Sequence, residues 1–307
     1  MHVSVLLEEA IQGLNLKDDG IYVDCTLGYA GHSSEILKRV RRGCLFAFDQ
    51  DSDAIKYSTE KLSKIGNNFT IIYSNFVNLK EELKKRNIEK VDGILFDLGV
   101  SSVQLDEADR GFSYHQDAYL DMRMDKNNPL SAYEVVNNYS EKELSDIFFK
   151  FGEEKFSKSI AKAIVKYRET KKIEGTLELV EIIKSAMPMK AKRDIHPARN
   201  VFQAIRIEVN HELDILEKSI TDALDILNVG GRVAVITFHS LEDKIVKNLF
   251  KEKTHVDDIV KGLPNIPEEY LSSYRLVNNK AIAPSDIELE NNNRSRSAKL
   301  RVIERIR

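Results

Sequence analysis

The chain has no run of about 18 apolar residues, which excludes a membrane-spanning helix. Its start carries Glu8 and Glu9 where a secretory signal needs a basic and then an apolar stretch, so a soluble, cytoplasmic protein is expected. Cysteine is scarce. Cys25 and Cys44 fit no C-x-x-C pattern, and both are expected to be buried and reduced. The seven histidines form no H-E-x-x-H or similar ligand pair, so no metal centre is expected. A large excess of either charge is also missing: the net charge is −3, and any contact with nucleic acid must come from local basic patches. Repeats and low-complexity tracts are absent. With 42% hydrophobic residues over 307 positions, the chain can bury a core and is long enough for about two domains.

The most informative feature that is present lies near the front. A strand reading Tyr22-Val23-Asp24 ends on an acid, passes Gly28 and Gly31, and opens a helix at His32. A second apolar run, Leu45 to Phe48, stops on Asp49, 21 positions after Gly28 and close to the roughly 20 expected when one unit binds an adenosine-containing cofactor. Dinucleotide sites use G-x-G-x-x-G so that the backbone can approach a pyrophosphate; here Ala30 and Ser33 hold the second and third glycine places, which disfavours NAD. S-adenosylmethionine has no phosphate. Its carboxylate can sit on the amides of a helix start, and its ribose hydroxyls can donate to Asp49. An ordinary strand-turn-helix of a doubly wound sheet remains the alternative for this segment taken alone.

Short apolar runs at Ile21 to Leu27, Leu45 to Phe48, Phe69 to Tyr73 and Gly93 to Phe96 alternate with helical patterns, which predicts an α/β layer fold with a parallel sheet. The next strand is Arg232 to Thr237. Positions 98–230 between them far exceed the roughly 30 residues of a βαβ unit, so a domain is inserted. Within it, Ser140 and Glu143 form a capping box ahead of Leu144, Ile147, Phe148 and Phe151. Phe156, Ile160, Ala163, Ile164 and Tyr167 make a second helical stripe, and Leu177, Val180 and Ile183 a third. One long stripe from Val201 to Leu227, stopping at Gly230-Gly231, is expected to return the chain to the sheet. The expected partition is 1–115 and 213–307 for the sheet and 116–212 for the helical insert.

Asp97 to Ser102 follows the fourth strand, where such sheets face a ligand, although a tight glycine turn with a serine cap accounts for the segment nearly as well. Ser240 and Asp243 have capping-box spacing, and His239 receives no role. Arg294, Arg296, Lys299 and Arg301 can meet phosphates or line a charged edge strand. Lys190, Lys192, Arg193, His196 and Arg199 form a basic loop, either a solvated connector or an RNA-facing arm.

Together these segments resemble the bacterial family of 16S ribosomal RNA cytosine N4-methyltransferases nearly end to end. The resemblance is carried by Val5-Leu6-Leu7-Glu8-Glu9, Asp24 to Gly28 with Gly31-His32-Ser33, Asp97 to Ser102 with Gln104-Leu105-Asp106, and Arg110 to Ser113. It continues through Leu120 to Asp125, Gly152-Glu153-Glu154, Phe202 to Asn210, Phe238 to Asp243 and Arg294 to Arg301. The chain departs from the family at Ser4, in place of a proline, and at Tyr29-Ala30, in place of two glycines. The resemblance implies a Rossmann-like class I S-adenosylmethionine methyltransferase sheet with an inserted helical domain. It implies cofactor contacts at Ala30, Gly31, His32, Asp49, Phe76, Asp97 and Gln104, and methyl transfer to the N4 amine of one cytidine in 16S rRNA or the small ribosomal subunit. Asp97 is then the first candidate to accept a hydrogen bond from the amine, and Asp121 the second. Arg294, Arg296, Lys192, Arg193 and Arg199 would hold the RNA. The rivals are a methyltransferase for another RNA base or for protein, and a cofactor-dependent ribosome-assembly factor. The oligomeric state is open, with a homodimer among the options.

Overall fold

The computed structural model describes residues 4–99, 108–188, 196–256, 260 and 267–307. Gln104, Lys192 and Arg193 lie outside the described residues. The chain divides into two compact units, Met1–Gly99 with Leu213–Arg307, and Val100–Glu212.

In the first unit, α1 (Leu7–Leu14) precedes β1 (Ile21–Asp24), α2 (Gly31–Arg39), β2 (Cys44–Asp49), α3 (Ser52–Ser63), β3 (Phe69–Tyr73), α4 (Leu79–Lys84) and β4 (Val91–Asp97). β1 stops at Asp24, before the expected Leu27, because the Asp24 carboxylate accepts the Thr26 amide and turns the chain. In the second unit come α5 (Ala132–Asn138), α6 (Glu141–Gly152), α7 (Ser157–Arg168), α8 (Thr176–Ala186) and α9 (Arg199–Asn210). α10 (Glu212–Asp225), β5 (Leu227–Thr237), α11 (Ser240–Lys253), β6 (Tyr274–Leu276), α12 (Asp286–Asn291) and β7 (Lys299–Arg305) complete the first.

The seven strands form one sheet in the order β3-β2-β1-β4-β5-β7-β6. β1 to β5 run parallel, while β7 lies antiparallel to both β5 and β6. The strand order reverses between β1 and β4, the position where a doubly wound sheet opens a crevice at its carboxyl ends. One face packs Val23, Phe48, Ile94, Phe96 and Val235 under α10 and α11, and the other packs Leu45, Ala47, Leu95 and Ala234 under α1 and α2. Among the described residues no helix is long and apolar enough to cross a membrane. Cys25 is buried as expected, but Cys44 at the start of β2 is only half-buried.

The long return stripe is not one helix. His211, at φ 51°, stands between α9 and α10, and residues 227–231 already belong to β5. Periodicity cannot register a single left-handed residue, because the apolar spacing resumes after it. Gly230, at φ 81°, and Gly231, whose added Cβ would meet the Asp92 carbonyl at 3.0 Å, serve the irregular start of β5 rather than a helix stop.

The helical unit has its own core, with Leu144, Ile147, Phe148, Ile160, Ile164, Val180, Ile183, Phe202 and Ile205 buried together. The capping box of α6 is present: Glu143 N–H donates to Ser140 Oγ at 3.2 Å, and Ser140 N–H to Glu143 Oε2 at 2.7 Å. Leu177 and Tyr167, read as stripe residues, are exposed at the ends of their helices.

Candidate active site at the carboxyl ends of the strands

Three aspartates end β1, β2 and β4, and each is used differently. Asp24 is fully buried. Its Oδ1 accepts the Thr26 N–H at 3.0 Å, and its Oδ2 accepts the Ser33 hydroxyl at 2.6 Å. Thr26 Oγ1 in turn accepts the Asp97 N–H at 2.7 Å. Asp24 therefore clamps the first turn to α2 and, through Thr26, to β4. Ser33 is the residue that replaced a dinucleotide-site glycine, and the clamp is its physical reason; the roles of Thr26 and Ser33 had no signal in the sequence beyond that replacement.

The turn itself is held from α3. Ser58 Oγ donates to the Gly28 carbonyl at 2.6 Å, and Lys61 Nζ to the Tyr29 carbonyl at 2.8 Å. Gly28 and Ala30 both lie in the left-handed region, at φ 47° and φ 54°. For Ala30 that conformation costs about 1–2 kcal/mol, and its methyl group is fully buried. A Cβ at Gly31 would fall 1.7 Å from Ser4 Oγ, so any side chain there would have to turn Ser4 aside. No side chain caps α2. The first amides of a helix have no partner within it, so this start suits a carboxylate.

Asp49 ends β2 and is partly buried. Its Oδ2 accepts the Gly28 N–H at 2.8 Å and its Oδ1 the Asp51 N–H at 2.9 Å. Burial pushes its carboxyl up to about 6 against the pull of those amides. Each oxygen keeps a further lone pair, enough for two ribose hydroxyls. Phe76 follows β3, partly buried, with its ring edge-on to Phe96 at 5.6 Å. Beside it, Asn75 Nδ2 donates to Gln50 Oε1 at 2.9 Å.

Asp97 ends β4. Its Oδ1 is buried with no hydrogen-bond partner among the described residues, and its Oδ2 lies 3.5 Å from His32 Nδ1. His32 is buried, and its Nε2 lies 3.2 Å from the Val5 carbonyl. Only a protonated Nε2 can donate to a carbonyl, so a proton must also sit between Nδ1 and Asp97 Oδ2 for that contact to be favourable. Burial, reinforced by the carboxylates of Asp24 and Glu242, raises the Asp97 carboxyl well above its ordinary range. An unpaired buried acceptor costs about 1–3 kcal/mol, more when charged, and a bound amine or ammonium would offset that cost. The residues present fit S-adenosylmethionine: an acid for the ribose, amides for the carboxylate, an aromatic ring, and an orphaned carboxylate oxygen.

α11 starts one residue earlier than its spacing implied. His239 is the N-cap and Glu242 the third helical residue, with Glu242 Oε2 accepting the Phe238 N–H at 2.8 Å, so the Ser240–Asp243 capping box is not formed. Asp243 instead takes Arg301 Nε at 2.7 Å and Lys299 at 3.2 Å. Those two cations are thus already paired with Asp243. Arg294 and Arg296 are exposed on a turn at Asn293–Ser297, and β7 runs between β5 and β6, which removes the edge-strand reading. Arg199 is exposed at the first residue of α9. Asp121 belongs to the helical unit, where Arg123 forks onto it with Nε at 2.6 Å and a second nitrogen at 3.1 Å.

The model of the MraW methylase family matches residues 1–306. A ribosomal RNA small subunit methyltransferase H from Exiguobacterium sibiricum is 57% identical over 307 residues, covering 100% of this chain and 98% of the relative. A crystal structure of an rRNA methylase from Streptococcus thermophilus is similar at a TM-score of 0.47 and 12% identity, covering 100% of this chain and 99% of that one.

Proposed function

This chain belongs to the MraW methylase family, and from that premise we propose that it transfers the methyl group of S-adenosylmethionine to the N4 amine of a cytidine in 16S rRNA, in the cytoplasm. When bound, the cofactor supplies an electrophilic methyl group on its sulfonium. The amides at Ala30, Gly31 and His32 would receive its carboxylate, Asp49 its ribose hydroxyls and Phe76 its adenine, and the resemblance assigns Gln104 and Asp97 to its methionine end.

The observation that carries the reading is the unpartnered, buried Oδ1 of Asp97 at the end of β4. Cytosine N4 is a poor nucleophile, because its lone pair is delocalised into the ring. An acceptor that takes one N–H bond and aligns the nitrogen at about 3–3.5 Å from the methyl carbon supplies what the reaction lacks. With the cofactor supplying its methyl group, the Asp97 carboxylate would take the proton the amine loses as its nitrogen gains the methyl and the sulfonium leaves as a neutral thioether. Asp121 is the weaker choice, since Arg123 occupies both of its oxygens. The base must be unpaired or flipped out, with Arg294, Arg296, Lys192, Arg193 and Arg199 on the phosphates around it.

The test is to incubate the protein with labelled S-adenosylmethionine and small ribosomal subunits lacking the modification, and then identify the labelled nucleoside by mass spectrometry. N4-methylcytidine is the expected product. Label in another nucleoside would overturn the target, and no label despite cofactor binding would favour an assembly factor.

A further inference from the structure

α7 carries a row of lysines with no acid beside them among the described residues. Lys158, Lys162 and Lys166 are exposed and stand four residues apart, so they share one face over two turns, with Lys155 just ahead of them. Ile160, Ala161 and Ile164 are buried on the other side. Residues 155–172 hold seven basic side chains and one acid, Glu169, a net +6 in a chain whose total is −3.

On α2, α4, α8 and α10, acids pair with basic residues of the same helix or just past its end: Glu35 with Lys38 and Arg39, Glu82 with Lys85 and Arg86, Glu181 with Lys184, Lys218 with Asp222. On α7, Lys158, Lys162 and Lys166 meet no acid within ion-pair reach among the described residues. Of the other cations of the stretch, Arg168 is committed to the Val136 and Tyr139 carbonyls, Lys171 to Glu178, and Lys172 reaches the Asn137 carbonyl at 3.5 Å.

This pattern works against the helix itself. Like charges at i, i+4 cost about 0.2–0.5 kcal/mol a pair. α7 also begins at Phe156 with no side-chain cap and no acid in its first turn, where Lys158 has the wrong sign for the helix dipole. A merely solvated face would be served better by the acid–base pairing used on α2, α4, α8 and α10. Three unpaired ammonium groups on long flexible stems, rising about 6 Å from one to the next, instead suit a linear polyanion contacted without regard to sequence.

We propose that Lys158, Lys162 and Lys166 form a contact surface for the phosphate backbone of the RNA substrate, in addition to the Arg294 and Arg296 segment. The proposal rests on the ribosomal RNA reading above.

The test is the salt dependence of binding to small-subunit RNA for the wild type and for K158Q/K162Q/K166Q. Losing three phosphate contacts should lower the slope of log affinity against log salt by about 2 on single strands and about 3 on a duplex. Between 50 and 200 mM salt, the wild type should therefore lose roughly 20- to 40-fold more affinity than the variant. The melting temperature should hold or rise, because repulsion is removed, and cofactor affinity should be unchanged. K158R/K162R/K166R should keep the wild-type slope. A glutamine variant with the wild-type slope overturns the proposal while leaving the methylation reading intact, and a wild type that neither binds nor methylates small-subunit RNA overturns that reading itself.

Discussion

Asp49 and Asp97 at the strand ends and Glu178 in the helical unit titrate in opposite directions, and the cause is what each carboxylate is given as a partner. At the strand ends of the sheet unit, burial outweighs the available donors, so Asp49 rises to about 6 and Asp97 goes well above its usual range. In the helical unit, burial also pushes Glu178 upward. The Glu174 amide, Lys171 and the Tyr167 hydroxyl overrule it, and its carboxyl falls to about 2. Asp121 likewise has Arg123 on both oxygens. A carboxyl rises where burial exceeds the donors offered to it and falls where the donors exceed burial.

The sharpest break of that contrast is a pair of substitutions. Asp97→Asn should reduce turnover at saturating cofactor by roughly 100-fold or more, because the amide cannot accept the amine proton. Asp121→Asn should leave turnover within about threefold while lowering stability by about 1–3 kcal/mol through the lost Arg123 fork. Equal losses of turnover in steady-state assays would erase the distinction.

The next largest effects come from pH. Glu178 binds fewer protons folded than unfolded, so its stabilisation is present above about 4.5 and lost as pH falls through about 2. Glu178→Gln should cost about 1–3 kcal/mol in urea unfolding at pH 7 and only a small fraction of that at pH 2. Asp49 works the other way. Its neutral form is favoured in the fold, so its contribution, at most about 3 kcal/mol, is complete below the unfolded carboxyl range and lost as pH rises through about 6.

On the proposal that Asp49 holds the ribose, its ionised form would be the acceptor, so cofactor affinity by calorimetry should rise about tenfold from pH 5 to 7. Asp49→Asn should weaken binding and flatten that rise; an unchanged rise would place its cause elsewhere. The smallest effect is expected at the insert's cap. Ser140→Ala should cost about 1 kcal/mol with cofactor affinity unchanged, and a loss of affinity would mean the cap matters beyond its own helix.

Local patterns were legible in the sequence where the physics is local. The strands ending on Asp24, Asp49 and Asp97 follow from apolar runs bounded by turn residues, and the Ser140–Glu143 box follows from two side chains three positions apart. The break at His211 did not show, because one left-handed residue leaves the apolar spacing almost undisturbed. The α11 cap was misplaced by one residue because Ser240 and Asp243 have the same spacing as His239 and Glu242, and only the fold sends Asp243 to Arg301 and Lys299.

By itself the sequence determined the α/β class, the interruption between β4 and β5, and the acid 21 positions beyond Gly28, because periodicity, turn chemistry and motif spacing are written along the chain. Only the tertiary structure decided which carboxylates are satisfied and which are not. That Asp24 is clamped by Thr26 and Ser33 while Asp97 keeps a buried oxygen without a partner depends on neighbours brought in from β1, α2 and α11. Desolvation and hydrogen bonding are set by what lies within a few ångströms in space, and position along the chain does not encode that distance.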